Sequence, residues 1–341
     1  MYNIKNICII GAGNVGVACA VELSVRNECN VKILTSKADK IDLPLKMLDT
    51  DTGKTIEGNN ISITSDYKSA LSESDLVIVT VPSFATESVM KQVSEYNPKL
   101  VLFTPGYGNK EKWCSELIRK GCIISGFDRS PYICRLQSFN FVNASKKNRI
   151  RLGCINSDDC KTVADLYSEI FGFECVPLPN YMTVALTPSN PILHTARLYS
   201  MFKDSDFNTH FPRMIKFYAE WTDESSEVML AMDKELQSLC RIIEKQEKID
   251  LTQVIPLSIH YESPDVQSMT NKIRSIRSFK NINSPMIQNG DYYLIDKDSR
   301  YFKEDFEFGL AILQDYARKY SVETPYMNIV MEWYQKINTG L

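Results

Sequence analysis

The chain has no apolar run approaching the roughly 20 residues that cross a bilayer. It also has no CxxC pair among its ten cysteines, and only three histidines, His194, His210 and His260. The first absence argues against a membrane-spanning protein. The other two remove the usual metal-ligand spacings, so no metal site is expected. Charge of one sign is also lacking: a net charge of -3 offers no basic face to nucleic acid or an anionic membrane. The cysteines are scattered, and Cys8, Cys19, Cys122 and Cys175 fall in apolar runs. That pattern reads as reduced, buried thiols in a cytoplasmic protein. The opening residues show no signal-peptide pattern. A hydrophobic fraction of 44% over 341 residues leaves room for two domains with their own cores.

What is present is concentrated at the start. The apolar run Lys5-Asn6-Ile7-Cys8-Ile9-Ile10 leads into Gly11-Ala12-Gly13-Asn14-Val15-Gly16, and a helical pattern follows from Val17. Strand, G-x-G-x-x-G and helix in this order form a dinucleotide-binding fingerprint. Gly11 permits the tight turn, Gly13 lets the backbone approach a pyrophosphate, and Gly16 lets helix and strand pack closely. Asn14 and Val15 open the helix, whose N-terminus offers N–H groups and partial positive charge to phosphate.

Short apolar strands then alternate with helices. Strands are expected at 31–34, 60–64, 75–80, 100–104 and 121–125, with helices near 84–94 and 110–120. Two more strands, at 149–155 and 172–178, flank a helix near 159–170. Strands buried on both faces and separated by helices imply a doubly wound parallel sheet. After Pro177-Leu178-Pro179-Asn180 the pattern becomes long and helical, at 191–203, 212–247, 264–275, 304–320 and 326–337. The expected domains are 1–182, a Rossmann dinucleotide-binding domain, and 183–341, a helical substrate domain.

The end of the second strand bears on cofactor choice. An acidic residue there holds the ribose hydroxyls in NAD enzymes of this fold. Here the sequence reads Leu34-Thr35-Ser36-Lys37, and Asp39 comes late. Thr35, Ser36 and Lys37 suit a 2′-phosphate, which favours NADP(H) while leaving NAD(H) open; a solvated turn is the plain alternative. Val81, Pro82 and Ser83, following the fourth strand, are expected beside the pyrophosphate and nicotinamide ribose.

Chemistry-bearing residues gather in the second half. Asn190 reads as an N-cap and Pro191 as a first helical residue, which places His194 one turn into the helix and Arg197 on the next. A lone helical histidine is more often structural, but one near the junction of two domains is a candidate. Further on, Ser299-Arg300-Tyr301-Phe302-Lys303-Glu304-Asp305 precedes a long helix. Capping and dipole complementarity alone would account for one of its carboxylates.

The chain resembles the NAD/NADP octopine/nopaline (opine) dehydrogenase family over nearly its whole length. The residues that carry the resemblance are Gly11-Ala12-Gly13-Asn14-Val15-Gly16, Thr104-Pro105-Gly106-Tyr107-Gly108 and Pro131-Tyr132-Ile133-Cys134-Arg135. With them stand Asn190-Pro191-Ile192-Leu193-His194, Phe217-Tyr218-Ala219-Glu220-Trp221-Thr222-Asp223 and, most specific, 299–305 with Gly309-Leu310. Thr195 follows the histidine where a proline is common. The resemblance implies an all-α C-terminal domain of the 6-phosphogluconate-dehydrogenase C-terminal type. It also implies a reaction: an amino acid condenses with an α-keto acid such as pyruvate, and hydride reduces the imine. His194 would handle the proton and Asp305 would orient the imidazole. Arg300 would offer a planar fork to a substrate carboxylate, with Arg135 and Arg197 as lesser candidates. Cys134, Asn190 and Trp221 would contact substrate, Cys134 lining the pocket without acting as a nucleophile; Tyr199 joins Trp221 as a pocket or core aromatic. Two other classes stay open. A related two-domain 2-keto or 3-hydroxy acid reductase would need a lysine in the first helix of the second domain, and 188–200 contain none. A catalytically inactive nucleotide-binding protein would not need His194, Arg300 and Asp305 together. A homodimer through the helical domain is compatible with the sequence.

Overall fold

Strands Leu76–Val79 and Leu100–Phe103 are buried at every residue, so neither face of the sheet they share is wet. This is why they read as unbroken apolar runs and not as alternations. The computed structural model describes residues 4–26, 29–187 and 190–339. Contacts divide the chain into two units, Met1–Ala185 and Leu186–Leu341. The boundary expected from sequence lies three residues earlier.

The first unit is built on an eight-stranded sheet. Its spatial order is Glu174–Pro177, Arg149–Cys154, Ile123–Phe127, Leu100–Phe103, Leu76–Val79, Asn6–Ile10, Asn30–Leu34 and Ile61–Thr64. All pairings are parallel except that of Arg149–Cys154 with Ile123–Phe127. From Asn6–Ile10 the chain first adds strands on one side and then returns to the other, beside Leu76–Val79. The crevice at the carboxyl ends of those two strands is the switch point where ligands bind in such sheets.

A second sheet was not foreseen from sequence. Thr55–Glu57, Lys46–Asp49, Phe141–Lys146 and Tyr132–Ser138 form four strands in that order. Met47, Tyr132, Val142 and Ala144 share one core with Val17, Ala18, Cys19 and Val21 of helix Asn14–Arg26. That helix is therefore covered on its outer side too, and every residue from Gly16 to Ser24 is buried. Glu22 is tolerated there because Lys146 Nζ donates to it at 2.5 Å.

The second unit is helical, with Asn190–Phe202, Asp223–Glu247, Val266–Ser275, Ala311–Lys319 and Pro325–Thr339 as its longer helices. A hairpin, Met286–Asn289 with Tyr292–Ile295, is added to them. Its two-residue loop is Gly290-Asp291, with Gly290 at φ +63°, the left-handed conformation that such tight hairpin turns require. The helix expected over 212–247 begins only at Asp223, where the Thr222 side chain accepts from the Ser225 N–H. The helix expected over 304–320 is broken: Arg300–Lys303 is a short turn, Phe306–Leu310 a wide π-turn, and the regular helix starts at Ala311. Among the described residues no helix is long and apolar enough to cross a membrane, and no cluster of potential metal ligands occurs. All ten cysteines are free thiols.

Candidate active site

His194 sits in the first turns of Asn190–Phe202 with its side chain 12% exposed. The helix begins at Asn190 itself, so Asn190 is its first residue and not the cap expected from sequence; Pro188 and Ser189 lie outside the described residues. Asp305 reaches His194 from the wide turn ahead of Ala311–Lys319. The Leu310 N–H donates to the Asp305 carbonyl at 2.8 Å, closing that turn. Such widened turns recur at functional sites because they re-aim a side chain. Gly309 lets the turn lie against the start of the histidine helix: a Cβ there would stand 3.1 Å from the Pro191 ring.

The contact so made is a short one. His194 Nδ1 lies 2.8 Å from Asp305 Oδ2. An ionised carboxylate only accepts, so the pair fixes the proton on Nδ1. Burial pushes the Asp305 carboxyl up from its ordinary range, while attraction to His194 and the hydrogen bond oppose the push. On the other side of the ring Nε2 lies 2.8 Å from the Tyr218 hydroxyl. Phe217 meets the imidazole edge-on at 5.5 Å, and the Tyr301 ring lies 4.8 Å away. Tyr218 was not singled out from sequence, although it lies within the quoted 217–223 block.

Arg300 is exposed, its guanidinium makes no hydrogen bond among the described residues, and its charge reaches Asp305. It is a guanidinium available to a carboxylate beside the histidine pair. Arg197 is not available. It is 2% exposed and spends its fork on the Phe217 carbonyl, the Glu220 carbonyl and Ser225 Oγ, at 2.9, 2.7 and 3.1 Å. It organises the loop that presents Tyr218.

Trp221 corrects the expectation placed on it. It is fully enclosed, donates Nε1–H to Ser226 Oγ at 2.9 Å, and stacks on Tyr218. With no surface to offer a small molecule, it supports Tyr218 from within the core. Tyr199 packs edge-on against Trp333, and Asn190 is half-buried. Cys134 belongs to the other unit, in strand Tyr132–Ser138, packed against the core around Cys19. Burial pushes its thiol up to about 12, which suits a pocket or core residue and not a nucleophile.

The nucleotide fingerprint can be tested glycine by glycine. Gly11 has φ +110°, and a Cβ on it would meet Thr80 Oγ1 at 2.7 Å. A Cβ on Gly16 would stand 1.9 Å from the Gly11 carbonyl oxygen. Both are required by the chain itself. A Cβ on Gly13 would meet nothing within 4 Å. The chain's own packing does not require a glycine there, whereas a ligand passing close to the backbone would. Helix Asn14–Arg26 has no acidic residue in its first turn, so no side chain competes for its N–H groups. Asn14 itself is committed, its Oδ1 accepting from the Leu136 N–H at 2.8 Å. Val81 and Pro82 are half-buried, and Ser83 starts helix Ser83–Val93, which has no side-chain cap. Thr35 is half-buried, while Ser36 and Lys37 are exposed at the edge of this region. These residues fit a dinucleotide.

Residues 177–338 match the family described as NAD/NADP octopine/nopaline dehydrogenase, alpha-helical domain. Residues 6–121 match NAD-dependent glycerol-3-phosphate dehydrogenase N-terminus. Among curated proteins, a tauropine dehydrogenase of Arabella iricolor is 23% identical over 97% of this chain and 91% of its own length. An opine dehydrogenase of Haliotis discus hannai is 24% identical over 97% and 89%. Among solved structures, an octopine dehydrogenase with NADH and L-arginine superposes with a TM-score of 0.82 at 20% identity. That match covers 98% of this chain and 90% of the other, and at such identity it speaks for the fold.

Proposed function

Because the chain belongs to the NAD/NADP octopine/nopaline dehydrogenase family, we propose that it is an NAD(P)H-dependent opine dehydrogenase. It joins an amino acid to an α-keto acid such as pyruvate and reduces the imine to a secondary amine, and it also catalyses the reverse oxidation. The observation that carries this assignment is the largely buried His194–Asp305 pair at 2.8 Å, with the Arg300 guanidinium making no hydrogen bond among the described residues.

The bound nicotinamide would supply hydride to the imine carbon. The chain's own residues do the rest. Gly11, Gly13 and Gly16 with the N-terminus of Asn14–Arg26 hold the pyrophosphate, and Val81, Pro82 and Ser83 lie alongside. Thr35, Ser36 and Lys37 take the 2′-phosphate, which favours NADP(H). His194 holds or releases the proton that the condensation requires, and Asp305 keeps the ring in one tautomer and stabilises its charged form. Arg300 holds a substrate carboxylate with two parallel hydrogen bonds.

Oxidation of NADPH and NADH, followed with pyruvate and a panel of amino acids, tests the assignment. Turnover that needs both substrates supports it. Turnover with the keto acid alone would make the protein a 2-keto acid reductase. Cofactor binding with no turnover under any pairing would make it a nucleotide-binding protein without this activity.

A further inference from the structure

Both ring nitrogens of His194 are already engaged, Nδ1 by Asp305 and Nε2 by the Tyr218 hydroxyl, each at 2.8 Å. A histidine that met its substrate directly would need one nitrogen open. Tyr218 does not stand there loosely. It is 5% exposed, stacks on Phe279 at 4.2 Å and on Trp221 at 6.2 Å, and meets Phe217 edge-on at 4.8 Å. Its loop is pinned by Arg197 through the carbonyls of Phe217 and Glu220, and by Glu220, which accepts from the Lys216 N–H and from Arg213. Swinging the phenol away would break this packing. Passing a proton through it breaks nothing, because a hydroxyl accepts and donates at once.

We propose that Tyr218 is the group that delivers the proton, and that His194 acts through it. The proposal rests on the opine dehydrogenase assignment and concerns the dehydration that forms the imine. The Tyr218 O–H gives its proton to the hydroxyl of the amino acid–keto acid adduct. The C–O bond breaks, water leaves, and the nitrogen lone pair forms C=N. The Tyr218 oxygen takes the proton from His194 Nε2, leaving a neutral imidazole whose Nδ1–H still faces Asp305. Overall, one proton passes from the imidazolium to the departing water. The charges that bear on this relay are Asp305, with Glu304 and Arg300 acting on it; Tyr301 and Tyr261 lie near the phenol.

Tyr218→Phe keeps the ring and its stacking and removes the relay. The expected result is a fall in kcat of roughly 10²-fold or more, with near-native KM values, NADPH affinity and melting temperature. The His194→Ala/Tyr218→Phe double variant should be no slower than His194→Ala alone, because both changes cut one path. Unchanged kcat in Tyr218→Phe would overturn the proposal. So would a raised kcat, which would make the hydroxyl a latch. If Tyr218→Phe does not fold, 3,5-difluorotyrosine placed at 218 keeps the shape and acidifies the phenol. The value of kcat should then change while KM values and NADPH affinity stay near native, and an unchanged kcat would overturn the proposal. Wild-type protein that turns over no amino acid–keto acid pair would instead remove the parent assignment, so the two failures are distinguishable.

Discussion

His194 Nδ1 and Asp305 Oδ2 stand 2.8 Å apart although 111 residues separate them in the chain. The wide turn at Phe306–Leu310 and the missing side chain of Gly309 make the approach possible. Asp305→Asn keeps the size of the side chain but no longer fixes the tautomer. It should lower kcat by roughly 10²–10⁴-fold, the range seen when acid–base groups are disabled. His194→Ala should fall in the same range without weakening NADPH binding. Steady-state kinetics with fluorescence titration of the cofactor checks both. Near-normal turnover in either variant would return the pair to a structural role.

The Arg300 side chain is exposed and makes no hydrogen bond among the described residues, so its replacement touches recognition and not the core. Arg300→Lys retains charge and loses the fork. KM for one of the two carboxylate substrates should rise about tenfold, equivalent to ~1.4 kcal/mol, while stability stays within ~0.5 kcal/mol of native. Equal KM values for wild type and variant would deny it a carboxylate.

Gly13 and Gly16 should behave in opposite ways. Gly16→Ala drives a Cβ into the Gly11 carbonyl and should destabilise the protein by ~3 kcal/mol or more even without cofactor. Gly13→Ala meets open space. It should leave stability unchanged or raised by ~0.4–1 kcal/mol and weaken NADPH binding at least tenfold. Chemical denaturation without cofactor, paired with binding titrations, separates the two. Full NADPH affinity in Gly13→Ala would place the pyrophosphate elsewhere.

For cofactor choice, the Ser36→Asp/Lys37→Ala double variant should shift kcat/KM from NADPH toward NADH. A native protein that already prefers NADH strongly would refute the role given to Thr35, Ser36 and Lys37.

The loop that carries Tyr218 has an acid limit. Hydrogen bonds from Arg213 and the Lys216 N–H, with the Arg213 charge, lower the Glu220 carboxyl from 4.5 to about 2. A depressed folded pKa contributes stability that is present above the unfolded value and lost as pH falls through the folded one. The loss should therefore run from about pH 4.5 down to about pH 2. With its side chain 32% exposed, solvent screening keeps the contribution to about 1 kcal/mol. Glu220→Gln should melt lower than wild type at neutral pH, and the gap should close towards pH 2. A constant gap across that window would show that Glu220 acts through shape alone.

Sequence made the nucleotide fingerprint and the strands of the large parallel sheet readable, because both rest on local patterns: glycines at fixed offsets and short, largely apolar runs between helices. It also marked His194, Arg300 and Asp305, through a motif and not through periodicity. Tyr218 escaped because an aromatic in a loop has no period, and its partner lies 24 residues away. Trp221 was misjudged because residue type alone does not tell an enclosed indole from one lining a pocket. Arg197 was misjudged because its helix position gave no hint that loop carbonyls would occupy its fork. The smaller sheet escaped because its strands are only partly buried and carry polar residues along their length, so they show no apolar run. Two of them pair in parallel across a long stretch of chain, Lys46 opposite Phe141.

That parallel pairing sets an order of events during synthesis. The nucleotide-binding helix Asn14–Arg26 leaves the ribosome early, yet its outer face is covered by strands that end at Lys146. Until those residues emerge, Val17, Ala18, Cys19 and Val21 lack part of their final cover. Closure of the intervening loop costs entropy before any contact compensates it. A chain stopped short of residue 130 would carry the complete glycine fingerprint and an incomplete scaffold for it. Its bare apolar face would make it a client for chaperones before it could become a receptor for a dinucleotide.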